Sequence, residues 1–285
     1  MAHQIISQSD INFLKDLLIE AGTLAVSLQA NLSIIQNRGS SSGNSSALRA
    51  DEQVLALTAD EEVSQFLVNK LKSRFAKDTI ISEEALPKYF LLSDQYTWLV
   101  DPIDGTHHYL ANDSQYSIMI GLLWAGEPVY GWIYNPAFAT LYHGGPGLGA
   151  WRVDRNGKLE SIQSVLALED KPVRAILGRR DKNNNPWLDK ISDVTIIQAG
   201  GIGYKLSRIL EDEADVLLHL AGRLKVWDTA GPVALALAAG LEVGSREIDQ
   251  LFYPRDSYTH QMAIVMGKKG SLQWFRSKII TAWIQ

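Results

Sequence analysis

The sequence predicts an α/β protein, with an α+β first half and an α/β second half. Three observations carry this: apolar residues near the N-terminus recur at helical spacing, the period changes to strand-like runs from Thr79, and the remainder alternates strand-like with helix-like pieces. The 285 residues suffice for one large domain or two intimate ones, at ~100 to 200 residues per domain. The expected division is residues 1–160 and 161–285, with the boundary within 155–172.

Leu14, Leu17, Leu18, Ala21, Leu24, Ala25 and Leu28 follow the capping pair Ser9-Asp10 and predict an amphipathic helix over residues 10–31. The polar stretch Gly39–Ser46 has little to bury and reads as a mobile loop, either a flap or an ordinary surface loop. Val63, Phe66, Leu67, Leu71 and Phe75 predict a second helix that starts near Asp60, with acidic residues favoured in its first turn. Thr79–Ile81 and Tyr96–Val100 read as buried strands, each running into carboxylates. Ser117–Trp124 and Val129–Tyr134 flank Ala125-Gly-Glu-Pro128, a hairpin signal, and a third strand follows near Thr140–His143. Gly144–Gly149 and Arg155–Gly157 read as turns, and Trp98, Trp124 and Trp132 fall in strand patterns that predict core positions.

In the second half, Arg174–Gly178, Val194–Gln198 and Ala214–Leu220 read as strands. Between them lie a polar stretch at Asp181–Pro186 and a helix over Tyr204–Glu211, and a further helix follows Trp227–Gly231.

Composition excludes several classes of function. Without cysteine there is no disulfide framework, thiolate zinc site, iron–sulfur cluster or cysteine nucleophile. The formal charge of -5, from 32 acidic against 27 basic side chains, argues against a nucleic-acid polymer or an anionic membrane as partner. The N-terminus lacks a basic run followed by an apolar stretch, and the longest nearly apolar run, Pro232–Leu241, is half of the ~20 residues that span a bilayer. A cytoplasmic protein is the expectation.

The most informative string is Leu99-Val-Asp101-Pro102-Ile103-Asp104-Gly105-Thr106. Two carboxylates straddle a proline that holds the chain, and a glycine releases the backbone where a helix could begin. Such a turn aims both carboxylates at hard cations while the Gly105 and Thr106 amides face an anion, or it is simply an Asp-Pro turn with a helix cap. Ser82-Glu83-Glu84 follows a strand, and Asp60 and Asp228 are each placed at a helix start. Asp60, Glu83, Asp101, Asp104 and Asp228 are thus expected at element ends, where they converge. Oxygen ligands without histidine or cysteine favour magnesium, with manganese as the alternative.

Asp101-Pro-Ile-Asp-Gly-Thr106, Ser82-Glu-Glu84, Ala59-Asp60 and Trp227-Asp-Thr-Ala-Gly231 resemble the signature set of the inositol monophosphatase superfamily, in the family's order and over residues ~50 to 245. The resemblance implies a layered α-β-α-β-α sandwich of the inositol monophosphatase and fructose-1,6-bisphosphatase type. It also implies a magnesium-dependent, lithium-sensitive phosphomonoesterase. Carried over position by position, Glu83, Asp101, Asp104, Asp228 and the Ile103 carbonyl become ligands of two or three magnesium ions. Asp60 and Thr106 hold and polarise the attacking water, with Glu83 counted among the catalytic carboxylates, while the Gly105 and Thr106 amides take the phosphate together with Asp104 and Asp228. One departure stands out: where the family has a threonine three residues before its Ala-Asp pair, and a proline earlier, this chain has Leu57 within Val54–Asp60.

The segment Ala199-Gly-Gly-Ile-Gly-Tyr-Lys205 bears on the substrate. Glycines before a helix bring amides close to an anion and Lys205 adds a charge; the other reading is a tight strand-to-helix turn with Lys205 on a solvated face. This turn, through Gly201 and Lys205, resembles the 3'(2'),5'-bisphosphate nucleotidase branch, as does the run Gly105–Leu110 with Gln115–Met119. The implied activity is hydrolysis of adenosine 3',5'-bisphosphate to AMP and phosphate. An inositol-1-phosphate phosphatase is the alternative, then a sugar bisphosphatase, and outside catalysis a phosphate or nucleotide sensor of the same fold. Homodimers are common in the family. Arg179 and Arg180 are expected at the carboxyl edge of a strand, as a solvated rim or a phosphate contact. His107-His108 invites a metal reading, but adjacent histidines diverge on a helix and a surface or lid role is favoured; His219 stands near where several nucleotidases carry a phosphate-binding arginine.

Overall fold

The computed structural model describes residues 6–39, 45–87, 92, 95–162, 167–169 and 172–284, with the side chains of 32–39, 45–56 and 284 outside that description. Two long helices, α1 (Gln8–Gly39) and α2 (Ser45–Arg74), lie on one face of a seven-stranded sheet. That sheet runs in chain order: β1 (Thr79–Ser82), β2 (Tyr96–Asp104), β3 (Ser117–Trp124), β4 (Glu127–Asn135), β5 (Thr140–Gly145), β6 (Gly149–Val153) and β7 (Leu159–Ser161). β1 pairs parallel to β2 and every other pairing is antiparallel.

Two-residue alternation decides what each strand face meets. Trp98 and Val100 of β2 pack with Leu14, Leu67 and Leu71 of the long helices, whereas Leu99 between them packs with Ala230 and Leu206 on the opposite side. The opposite side is covered by α5 (Ile202–Leu210) and α6 (Val226–Ala238). Beyond these helices stands a second sheet of order β11-β12-β10-β8-β9, formed by β8 (Val173–Leu177), β9 (Val194–Gln198), β10 (Val216–His219), β11 (Glu242–Gly244) and β12 (Ile264–Gly267). Its far face is closed by Phe275, Ile279 and Ile280 of the C-terminal helical stretch. The layers therefore run α-β-α-β-α. Short helices α3 (Thr106–Leu110) and α4 (Arg179–Asn184) follow β2 and β8.

The helix between the sheets approaches very closely. A Cβ built on Gly131 of β4 would stand 2.0 Å from the Gly231 carbonyl oxygen of α6, so backbone meets backbone there. The β3–β4 hairpin turns on Ala125 and Gly126, both at positive φ, the twist that a two-residue connection requires.

Several expectations are corrected. α2 begins at Ser45, fifteen residues before Asp60, because residues 45–60 hold neither glycine nor proline and are rich in alanine and leucine. Asp60 therefore projects from the middle of a helix and not from its start. α1 likewise extends well past residue 31 at its C-terminal end. Of the loop expected over residues 39–46, positions 40–44 lie outside the described residues, while Gly39 closes α1 and Ser45 opens α2. Gly144, Gly145 and Gly149 belong to strands joined by a short turn, and the polar stretch at Asp181–Pro186 falls largely in α4. Trp98 and Trp132 are buried, but Trp124 at the end of β3 is 45% exposed. Among the described residues, no helix is long and apolar enough to cross a membrane.

Candidate active site

The carboxylates are brought together by an irregularity in β2. Asp101 pairs with Met119 and Asp104 with Ser117, so three steps along β2 face two along β3. The extra residue makes a bulge, which also accommodates Pro102, since a bulged position has no ladder amide to supply. Gly105 then turns at a φ of 92° and α3 begins.

Glu83 arrives from the end of β1, where its amide donates to the Val100 carbonyl at 3.2 Å. Asp228 arrives from the first turn of α6. Lys225 is that helix's N-cap, so Asp228 sits three residues further in than the expected cap position and accepts the Lys225 amide at 2.6 Å through Oδ2, closing a capping box. Carboxylate oxygens of Glu83, Asp101 and Asp228 all lie within 4.8 Å of one another. Asp101 is buried, and Oδ1 of its carboxylate has no hydrogen-bond partner among the described residues.

Burial and mutual repulsion make these groups weak acids. Asp101 is held well above the ordinary carboxylate range, by burial first and then by Asp104 and Glu83. Asp228 is pushed up to about 8, mainly by burial. Glu83 rises to about 7 through loss of solvent and the nearby Glu84 and Asp104. A converging, oxygen-only donor set with an orphaned carboxylate oxygen fits a hard divalent cation, which would supply the missing counter-charge.

Asp60 reaches the same place from α2, whose Ser64 is tied to Ser82 of β1 by a 2.7 Å hydrogen bond between their hydroxyls. It is 5% exposed and pushed up to about 8, by burial and then by Glu84 and Glu83. Thr106 lies close enough to Asp60 to oppose that rise, while its Oγ1 donates to the Ile103 carbonyl at 3.1 Å.

Asp104 behaves differently from its sequence neighbours. Its carboxylate accepts the Ser117 hydroxyl at 2.9 Å, the Ile202 amide at 2.9 Å and the Gly203 amide at 2.7 Å. The first turn of α5 is thus capped by a carboxylate from the other half of the chain. The Gly200 amide donates to Gln115 Oε1 and the Gly201 amide to the Gln115 carbonyl. The glycine turn does meet an anion, as its composition predicts, but that anion is Asp104, and all four amides of residues 200–203 are engaged within the protein. A Cβ on Gly201 would lie 2.2 Å from Asp104 Oδ2, which explains the glycine. The contacts that Gln115 and Ser117 make are not legible in the sequence, because no local pattern pairs Gln115 with a turn 85 residues later or Ser117 with the Asp104 carboxylate.

Lys205 is buried and not on a solvated face. Its Nζ donates to the Gly200 carbonyl at 2.7 Å, and burial lowers its pKa against the pull of Asp104, Asp181 and Asp228. It lines a recess of about 400 Å³ together with Asp104, Arg179, Arg180, His219 and Arg223. At the mouth, Arg179 Nη2 lies 2.9 Å from His107 Nε2, joining α4 to the exposed start of α3. A cleft of about 460 Å³ near Arg246, Met262 and Trp283 lies away from the carboxylates and offers none of this chemistry.

The chain belongs to the inositol monophosphatase family, whose model matches residues 13–267. It is accordingly a phosphatase, a phosphoric monoester hydrolase. The 3'(2'),5'-bisphosphate nucleotidase CysQ of Salmonella typhimurium is 29% identical over 70% of this chain and 80% of its own length. Inositol monophosphatase 3 of Solanum lycopersicum is 31% identical over 65% of this chain and 71% of its own. The fold matches that of inositol monophosphatase II from Staphylococcus aureus with a TM-score of 0.74, covering 95% of both chains at 18% identity. SaIMPase-II is known in crystals bound to 2'AMP and to inositol monophosphate.

Proposed function

We propose that this phosphatase is a magnesium-dependent 3'(2'),5'-bisphosphate nucleotidase that hydrolyses adenosine 3',5'-bisphosphate to AMP and phosphate. The observation that carries the reading is the charge of the recess beside the carboxylate cluster. Arg179, Arg180, Lys205 and Arg223 line it against two carboxylates, Asp104 and Asp181. Both are already engaged, Asp104 by the amides of α5 and Asp181 by the Leu220 amide. The wall therefore favours a substrate with a second anionic group, whereas an inositol ring would offer it only hydroxyls.

Glu83, Asp101 and Asp228 would hold the cation, with Asp104 and the Ile103 carbonyl as further ligands, and family members generally depend on magnesium. When bound, such an ion polarises the phosphoryl oxygens and acidifies a water molecule at neutral pH; manganese would serve similarly and lithium would compete. Asp60 takes the proton from the attacking water, a role suited to a buried carboxyl group whose basicity is raised by loss of solvent and by the nearby Glu84 and Glu83. Thr106 orients that water and does not attack covalently. Parallel hydrolysis of adenosine 3',5'-bisphosphate and inositol-1-phosphate, with magnesium and with chelator, tests the reading. A higher kcat/KM for the bisphosphate is expected; equal or higher efficiency on inositol-1-phosphate overturns it.

A further inference from the structure

Residues 258–260 run alongside residues 224–226, the segment that leads into α6 and Asp228. The Val226 amide donates to the Tyr258 carbonyl at 3.0 Å and the His260 amide to the Leu224 carbonyl at 2.8 Å, on either side of an antiparallel bridge between Lys225 and Thr259. The first amide of α6, which a helix start otherwise leaves orphaned, is thereby satisfied. Side chains repeat the pairing: Lys225 Nζ donates to Thr259 Oγ1 at 3.0 Å, and the Tyr258 ring lies nearly parallel to that of Trp227, their centroids 5.7 Å apart.

One contact of this strap reaches past the entry into the helix itself. His260 is buried, with Nε2 2.9 Å from the hydroxyl of Thr229, the neighbour of Asp228. The same hydroxyl lies 3.2 Å from the Val226 carbonyl and 3.4 Å from that of Lys225. Carbonyls only accept, so the hydroxyl directs its one proton at them, and the imidazole Nε2–H donates to the hydroxyl. Tyr253 meets the imidazole edge to face, with ring centroids 5.2 Å apart. A chain of two bonds, His260 to Thr229 to Val226, thus grips the first turn of α6, from which Asp228 projects.

We propose that His260 is a positioning residue for Asp228: through Thr229 it fixes the turn that carries the carboxylate, and so sets how well the cluster holds a divalent cation. His260 itself meets neither substrate nor cation. Burial pushes its imidazole down to about 4, so the ring serves as a neutral donor and adds no charge to the site. Asp104 and Glu83 both repel the Asp228 carboxylate, and its orientation therefore depends on how firmly its turn is held. The inference rests on the reading of Asp228 as a metal ligand.

The test is the magnesium affinity of the full chain, stripped with chelator and titrated calorimetrically with magnesium alone. His260→Leu should bind magnesium about ten- to a hundredfold more weakly than wild type, the usual loss when a group behind a ligand is removed. His260→Gln, which keeps an N–H near the place of Nε2, should recover most of that loss. Thr229→Val keeps the shape without the hydroxyl and should weaken binding similarly; adding His260→Leu to it should weaken binding no further, because both changes break one link. Wild-type affinity in His260→Leu, a His260→Gln protein no better than His260→Leu, or losses that add in the double variant overturn the inference. If His260→Leu does not fold, wild-type affinity in Thr229→Val overturns it. Asp228→Asn separates the two readings: unchanged affinity there removes Asp228 from the ligand set and the inference with it, whereas weakened affinity there beside wild-type affinity in His260→Leu overturns the inference alone.

Discussion

The Gly203 amide donates to Asp104 Oδ2 at 2.7 Å, so the helix that opens the second half of the site is held by a carboxylate from the first. Asp104 thereby orients α5 and the recess beside it, whatever ligand its remaining lone pairs take. Replacing Gly201 by alanine would place a Cβ 2.2 Å from Asp104 Oδ2 and 2.7 Å from the Asp104 carbonyl, with backbone on one side and no room to yield. Gly201→Ala is expected to cost about 1 to 3 kcal/mol of stability and to lower kcat/KM at least about tenfold, read by thermal unfolding and steady-state kinetics.

Metal removal should show a definite pH signature. Asp60, Glu83 and Asp228 titrate at about 8, 7 and 8 in the folded chain, above the ordinary carboxylate range. The native state therefore binds more protons than the unfolded one between about pH 4 and 8, and their contribution is lost as pH rises through the folded values. His143, His219 and His260, all lowered to about 4, act oppositely below about pH 6.5. In chelator, the melting temperature should fall from pH 6.5 to 8.5, and magnesium should abolish most of the fall. A flat profile in chelator would contradict the cluster's electrostatics.

Asp101→Asn should weaken metal binding while preserving the fold, since it removes charge from the most crowded carboxylate, whose Oδ1 is unpartnered. Calorimetric titration with magnesium should show at least about tenfold weaker affinity, together with a higher melting temperature in chelator. Wild-type affinity would remove Asp101 from the ligand set.

Asp60→Asn separates catalysis from stability. The substitution retains shape and removes a buried, repelled carboxyl, so the variant should be more stable than wild type at pH 8 without metal. Its turnover should drop by ~10²- to 10⁴-fold, the usual worth of a positioned base. Unchanged turnover would exclude Asp60 from proton transfer.

Lys205→Met should raise KM for the bisphosphate about tenfold and affect a simple aryl phosphate much less, because the buried ammonium faces the recess and not the carboxylate cluster alone. Equal effects on both substrates would point to a purely structural role.

The chemistry was legible in the chain itself because it is local. Asp101-Pro-Ile-Asp-Gly-Thr106 is a strand end, a bulge and a helix start in one string, and such spacing carries its meaning without any partner. Strand and helix periods likewise announced most of both sheets, since alternation reflects faces buried by neighbouring layers. Other features escaped for physical reasons. β6 and β7 are short, with only Ala150 and Val153 of β6 buried, and bury too little to leave a pattern. The sequence signals a late start for α2 because local charge near Asp60 resembles a first turn, while the absence of any helix breaker before it is a weaker signal.

By itself the sequence determined the family and pointed to carboxylates that could hold a hard cation, because residue identity sets charge, hardness and hydrogen-bonding capacity. Only the tertiary structure decided how those groups are used. Asp60 projects from mid-helix, Asp104 is shared with the amides of α5, and Lys205 is buried. The contacts of Asp104 with Ile202 and Gly203 join residues nearly 100 positions apart, and the free energy of such contacts is set by burial and geometry that no local pattern encodes.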